Sequence, residues 1–122
     1  MALNYVSVVS VNVTDQDRAI DFFVNKLGFE KTRDVPYGEG ERWIEVKAPD
    51  GQTTINLYKA SGSGVGQGQF SSLSFYSDNV RGTVEDMRSK GVEITEDPNE
   101  QPWGVQAQFK DPDGNGYVIV GR

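Results

Sequence analysis

Histidine is absent from this 122-residue sequence, and so is cysteine. The first absence removes the side chain behind Ser-His-Asp and Cys-His catalysis, the commonest transition-metal ligand and the natural proton carrier near neutral pH. The second removes disulfides and thiol chemistry, so nothing argues for an oxidising compartment and the expected location is cytoplasmic. No apolar run approaches the roughly 20 residues a membrane helix needs. Met1 leads almost directly into a strand pattern, with no signal-peptide core expected before it. Positive charge is also outnumbered: 12 Lys and Arg face 18 Asp and Glu, a formal net charge of −6. A phosphate backbone or an anionic bilayer would repel such a chain, so neither nucleic acid nor a membrane is expected as a partner. The remaining chemistry must run on carboxylates, hydroxyls, amides, Lys or Arg.

What is present is a duplication. Residues 14–30, TDQDRAIDFFVNKLGFE, open with Thr14 and Asp15 as helix-start residues and carry Ala19, Ile20, Phe22, Phe23 and Leu27 at helical spacing. Gly28 supplies the left-handed residue that ends such a helix. Residues 78–93, DNVRGTVEDMRSKGVE, repeat the plan, with Asp15, Arg18, Gly28 and Glu30 falling on Asp78, Arg81, Gly91 and Glu93. Val80, Val84 and Met87 form the second apolar stripe. The two arginines invite an anion-site reading, but their place in the first helical turn more simply suggests solvent or an ion pair between helices.

Alternation marks the strands around each helix. In residues 5–13, Val9, Val11 and Val13 share the face expected to take the helix, while Val6, Val8, Ser10 and Asn12 face the other way. Residues 30–35, 42–48 and 53–59 follow as strands, separated by Pro/Gly turns. In the second half, residues 70–76 place Leu73 and Phe75 towards the helix. Residues 93–96, 105–110 and 117–120 complete the set, with residues 97–104 expected as a polar loop. Pro112 and Gly114 make the turn between the last two strands. The 122 residues therefore read as one domain of two modules, about 1–60 and 70–122, joined by a Gly/Ser-rich linker at 61–69. The Gly-x-Gly-x-Gly pattern there leads into a strand rather than a helix, which speaks against a phosphate loop.

The stretches DQDRAIDFFVNKLGFE, RWIEVKAPDG, SDNVRGTVEDMRSKGVE and PWGVQAQFKDPDGNGYVIV, in this order and over essentially the whole chain, resemble the vicinal oxygen chelate superfamily. That superfamily holds glyoxalase I, extradiol dioxygenases and bleomycin-resistance-type proteins. The resemblance implies an α+β fold of two βαβββ modules whose mixed sheets curl into an open cup, completed across a homodimer. Metal-using members place a ligand on the first and last strand of each module, and those positions fall on Val8, Asn56, Ser72 and Val118. Valine cannot ligate, and a neutral amide or hydroxyl is a weak ligand for Zn²⁺ or Fe²⁺, so neither a metal nor a cofactor is expected.

The strand faces turned away from the helices are the candidate ligand surface. They bring Val8, Ser10, Asn56 and Tyr58 from the first module, and Phe70, Ser72, Ser74, Gln106, Gln108 and Val118 from the second. Trp43 and Trp103 offer planar stacking surfaces, with Tyr37 on the Pro36 loop as a lid and packing anchors as the competing role for the tryptophans. The same faces would also serve as a second core or a dimer seam. Ser72 and Ser74 lack a base to activate them and read as structural hydroxyls. Glu45, on the strand face of Trp43, is the one acid in reach, with a surface or ion-paired role favoured over general-base work. The expected function is sequestration of a mostly apolar, aromatic and neutral or cationic small molecule, an antibiotic or natural product in what the resemblance implies. A glyoxalase- or dioxygenase-like lyase or isomerase acting without a bound metal is the alternative, and a dimeric module acting only through protein contacts is the third reading.

Overall fold

The computed structural model describes residues 1–36, 38, 41–59 and 70–122, and the side chains of Phe70 and Ser72 lie outside that description. Tyr37 and the expected linker at 61–69 also lie outside the described residues. The chain divides into two compact units, Met1–Gly66 and Gln67–Arg122. The first contains β1 (Val8–Val13), α1 (Gln16–Asp21), which continues as a π-helical turn over Phe22–Lys26, then β2 (Glu30–Pro36), β3 (Arg42–Lys47) and β4 (Thr54–Lys59). The second contains β5 (Phe70–Ser77), α2 (Val80–Ser89), β6 (Glu93–Gln101), β7 (Gly104–Lys110) and β8 (Gly116–Gly121). Each unit holds one open, four-stranded mixed sheet, in the orders β1-β4-β3-β2 and β5-β8-β7-β6. The first strand of each unit runs parallel to the last, and the other pairings are antiparallel. This is the expected α+β architecture.

The two cores follow the alternation in the sequence. In the first unit Val11, Val13, Ile44, Val46, Ile55 and Leu57 are buried with Ala19, Phe22 and Phe23 of the helical segment. In the second, Ala107, Phe109, Tyr117 and Ile119 are buried with Val80, Val84 and Met87 of α2. Phe109 and Tyr117 stack with ring centroids 5.1 Å apart. Removing these faces from water supplies the main drive for each helix to lie on its sheet.

The repeat is not aligned as the sequence suggests. Asp15 caps α1 by accepting the Arg18 backbone N–H at 3.0 Å, but α2 is capped by Asn79, which accepts from the Gly82 N–H at 2.9 Å. Both helical segments end at a glycine with positive φ, Gly28 at +78° and Gly91 at +84°. The first segment therefore has one residue more between cap and glycine than the second. That residue is absorbed as the π turn, in which the Leu27 N–H reaches back five residues to the Phe22 carbonyl at 3.1 Å. Arg18 and Arg81 consequently do not correspond. Arg18 donates to Thr14 Oγ1 and Arg81 to the Pro98 carbonyl.

A second correction concerns β6. The expected polar loop after residue 96 continues as strand to Gln101, with register shifts that accommodate Pro98. Proline is tolerated there because β6 is an edge strand and need not donate on its free side. Asn99 adds a side-chain bond to the Gln106 carbonyl that ties this irregular stretch to β7.

Candidate functional site

In the first unit, strand pairing lines up four polar side chains across the sheet face opposite α1. Arg33 of β2 pairs with Glu45 of β3, Glu45 with Asn56 of β4, and Asn56 with Ser10 of β1. Period-2 geometry then puts Trp43 and Thr54 on that face too. Thr54 Oγ1 donates to Glu45 Oε1 at 2.8 Å, and Trp43 Nε1 donates to Glu45 Oε2. The Trp43 hydrogen bond, helped by Thr54 and by the charge of Arg33, holds Glu45 below the usual carboxylate range, against the burial that would raise it. Glu45 is therefore a fixed negative charge that orients an indole. A carboxylate held below its ordinary range, with hydrogen bonds on both oxygens, is not tuned as a general base.

Asn56 is the buried member of the row, only 2% exposed. Its Nδ2 donates to Ser10 Oγ at 3.3 Å, while its Oδ1 has no partner among the described residues. Val8, Ser10 and Tyr58 are exposed, and Trp43 is half-buried.

The second unit places Ser74, Val118, Gln108 and Glu96 in one row across β5, β8, β7 and β6, and Tyr76, Val120, Gln106 and Asn99 in the next. Gln106 joins two side chains, donating to Glu96 Oε1 at 2.9 Å and accepting from Trp103 Nε1 at 3.0 Å. Trp103 and Tyr76 are well exposed, at 63% and 65%. Both tryptophans are thus tethered through the indole N–H to a polar side chain of the sheet face. Phe70 and Ser72 are placed in β5 by their backbone alone. Sequence reasoning missed Glu96 and Arg33 as parts of these faces. Both become visible only when the edge strands β6 and β2 are paired in register with β7 and β3.

The positions the resemblance assigns to metal ligands do not make a metal cage. Val8 and Val118 offer no donor atom, and Asn56 offers a neutral amide whose nitrogen is bound to Ser10. No group of three or more His, Cys, Asp or Glu able to hold a metal occurs among the described residues. Val8, Asn56 and Val118 do not fit a transition-metal ion; the Ser72 side chain lies outside the described residues.

The model of the Glyoxalase/Bleomycin resistance protein/Dioxygenase superfamily matches residues 3–119. The chain belongs to that superfamily. A superfamily member from Sphaerobacter thermophilus DSM 20745 is 32% identical and superposes with a TM-score of 0.90, the match covering 98% of each chain. TnmS3, an antibiotic binding protein from Streptomyces sp. CB03234, is likewise 32% identical, with a TM-score of 0.87 over 99% of this chain and 98% of its own. The lactoylglutathione lyase GLX1 of Arabidopsis thaliana is 30% identical over 93% of this chain, which spans 43% of that larger protein. The superfamily therefore brings this fold together with both binding proteins and lyases.

Proposed function

We propose that this superfamily member is a small-molecule-binding protein that holds a mostly apolar, aromatic compound by ground-state affinity and does not turn it over. The observation that carries the reading is the residue set at the positions the resemblance assigns to metal ligands, where Val8 and Val118 offer no donor atom and Asn56 only a neutral amide. Binding alone needs no transition-state machinery, only apolar surface and a few oriented polar groups. The helix-free sheet faces carry both, in Trp43, Tyr58, Tyr76 and Trp103 and in the amides of Asn56, Gln106 and Gln108. The likeness to TnmS3 supports an antibiotic or another natural product as the class of ligand. Burying several hundred Å² of apolar ligand surface at roughly 25 cal/mol per Å² would supply much of the roughly −12 kcal/mol of a nanomolar complex.

Native mass spectrometry of the purified protein should find a compound retained in stoichiometric amount and recoverable unchanged. Elemental analysis should find no stoichiometric Zn, Ni, Mn or Fe. Chemical conversion of the retained compound would instead favour the lyase or isomerase reading, which the likeness to GLX1 keeps in view. We further propose that the chain pairs as a homodimer. Leu3, Tyr5, Val6 and Val8, on and before the edge strand β1, and Tyr76 on the edge strand β5 are exposed apolar residues of the kind that pairing covers. Light scattering at micromolar concentration should report twice the 13.5 kDa of one chain.

A further inference from the structure

Among the described residues, Asn56 Oδ1 is the only buried side-chain nitrogen or oxygen without a hydrogen-bond partner. An orphaned buried acceptor is destabilising, and an apolar side chain of similar size at the same place would remove the cost. We propose that this oxygen is the acceptor for a neutral hydrogen-bond donor, a hydroxyl or N–H group, carried by the bound aromatic molecule. The inference rests on the small-molecule-binding reading and adds the one polar group the ligand must carry.

Three features of the row point this way. Asn56 lies on an inner strand, with Ser10 and Glu45 as its register neighbours. Glu45, as a carboxylate, can only accept, and both of its oxygens are already occupied, by Thr54 and Trp43. The missing partner of Asn56 is a donor, which Glu45 cannot supply. The tether on the other side is weak: the bond to Ser10 is long at 3.3 Å, and Ser10 is exposed. The carboxamide can therefore turn towards an incoming group by giving up one poor hydrogen bond to a hydroxyl that water can satisfy. The charge balance of the row selects a neutral donor. Arg33 is the register partner of Glu45 on β2 and its charge acts on the carboxylate, so one positive and one negative residue share the row and leave no surplus charge for a cation to neutralise.

The test is isothermal titration of the full chain with 2-naphthol, its methyl ether 2-methoxynaphthalene, and protonated 2-naphthylmethylamine. The expected result is naphthol binding on the order of tenfold tighter than the ether, one hydrogen bond's worth. Asn56→Leu should bring the two to equal affinity. In ¹H–¹⁵N spectra of the wild type, the Asn56 side-chain amide signals should move with naphthol and stay with the ether. Asn56→Leu should also raise Tm, where a side chain serving only the fold would lower it. Equal binding of naphthol and ether by the wild type would overturn the acceptor role and leave the binding reading standing. Tighter binding of the ammonium probe than of naphthol would overturn the neutral-donor assignment. No binding of any of the three at millimolar concentration would overturn both readings.

Discussion

The two units share a topology and differ in where they bury polar groups. In the first, the turn between β3 and β4 closes with the Gly51 N–H on the Ala48 carbonyl at 2.9 Å. In the second, the turn between β7 and β8 closes in the same way, Gly114 N–H on the Asp111 carbonyl at 2.9 Å. The side chains at the matching position are a methyl group and a carboxylate. Asp111 is buried and fully used, accepting from the backbone N–H groups of Asp113 and Asn115, from Asn115 Nδ2, and from the Tyr117 hydroxyl at 2.7 Å. On the sheet faces the contrast reverses. Asn56 in the first unit is buried with an unpaired oxygen, and the corresponding Val118 in the second has nothing to pair. One unit satisfies its buried polar group internally, as a structural device does. The other leaves one unmet, as a site awaiting a ligand does.

The sharpest way to break this comparison is to exchange the turn residues. Asp111→Ala strands four donors beneath the turn and should destabilise the protein by about 3 kcal/mol, read by urea unfolding. Ala48→Asp, the reciprocal change, has no buried donors to serve and should stay within about 0.5 kcal/mol. Equal effects would mean the Asp111 network carries little.

The units should also fail at opposite ends of the pH scale. Burial, followed by the charge of Asp111, pushes the Tyr117 phenol well above its ordinary 10.0. The unfolded chain ionises there first, so this contribution is complete below about pH 10 and is lost as pH rises further. In the first unit, the Arg42 side chain on Asp34 and the Trp43 N–H on Glu45 hold both carboxylates low. Their contributions are present above the ordinary values of 3.8 and 4.5 and are lost as pH falls through the depressed ones. Thermal melts from pH 2 to 11 check the signs. Tyr117→Phe should flatten the alkaline limb, and Asp34→Asn the acid limb.

The smallest effect distinguishes the tryptophans. Trp103 is 63% exposed and Trp43 half-buried. Trp103→Phe should leave a bluer emission that acrylamide quenches less, with stability changed by no more than about 0.5 kcal/mol. Trp43→Phe should do the reverse to the spectrum and also release Glu45, shifting its carboxyl upward in an NMR titration.

Much of the fold was legible because it depends on local chemistry. Val9, Val11 and Val13 against Val8 and Ser10 gave the faces of β1, and Gly28 and Gly91 gave the helix ends. The site was legible only in part. Gln106 and Trp103 could be placed on or near one face, yet their bond to each other and to Glu96 required the irregular pairing of β6. Asn56 was recognisable as a poor metal ligand, while its burial and its unmet oxygen had no local signature.

By itself, the sequence determined the duplicated strand–helix–strands plan, the apolar stripe of each helix and the lack of His and Cys donors. These follow from residue chemistry and from the periods of 3.6 and 2 within short windows. Only the tertiary structure decided that Asn79 rather than Asp78 caps α2, and that the extra residue of the first helical segment is taken up as a π turn. It alone set Arg33, Glu45, Asn56 and Ser10 in one row. That row depends on which distant strands become neighbours and in which register, and a one-residue shift in the pairing of a strand would turn its side chains to the other face.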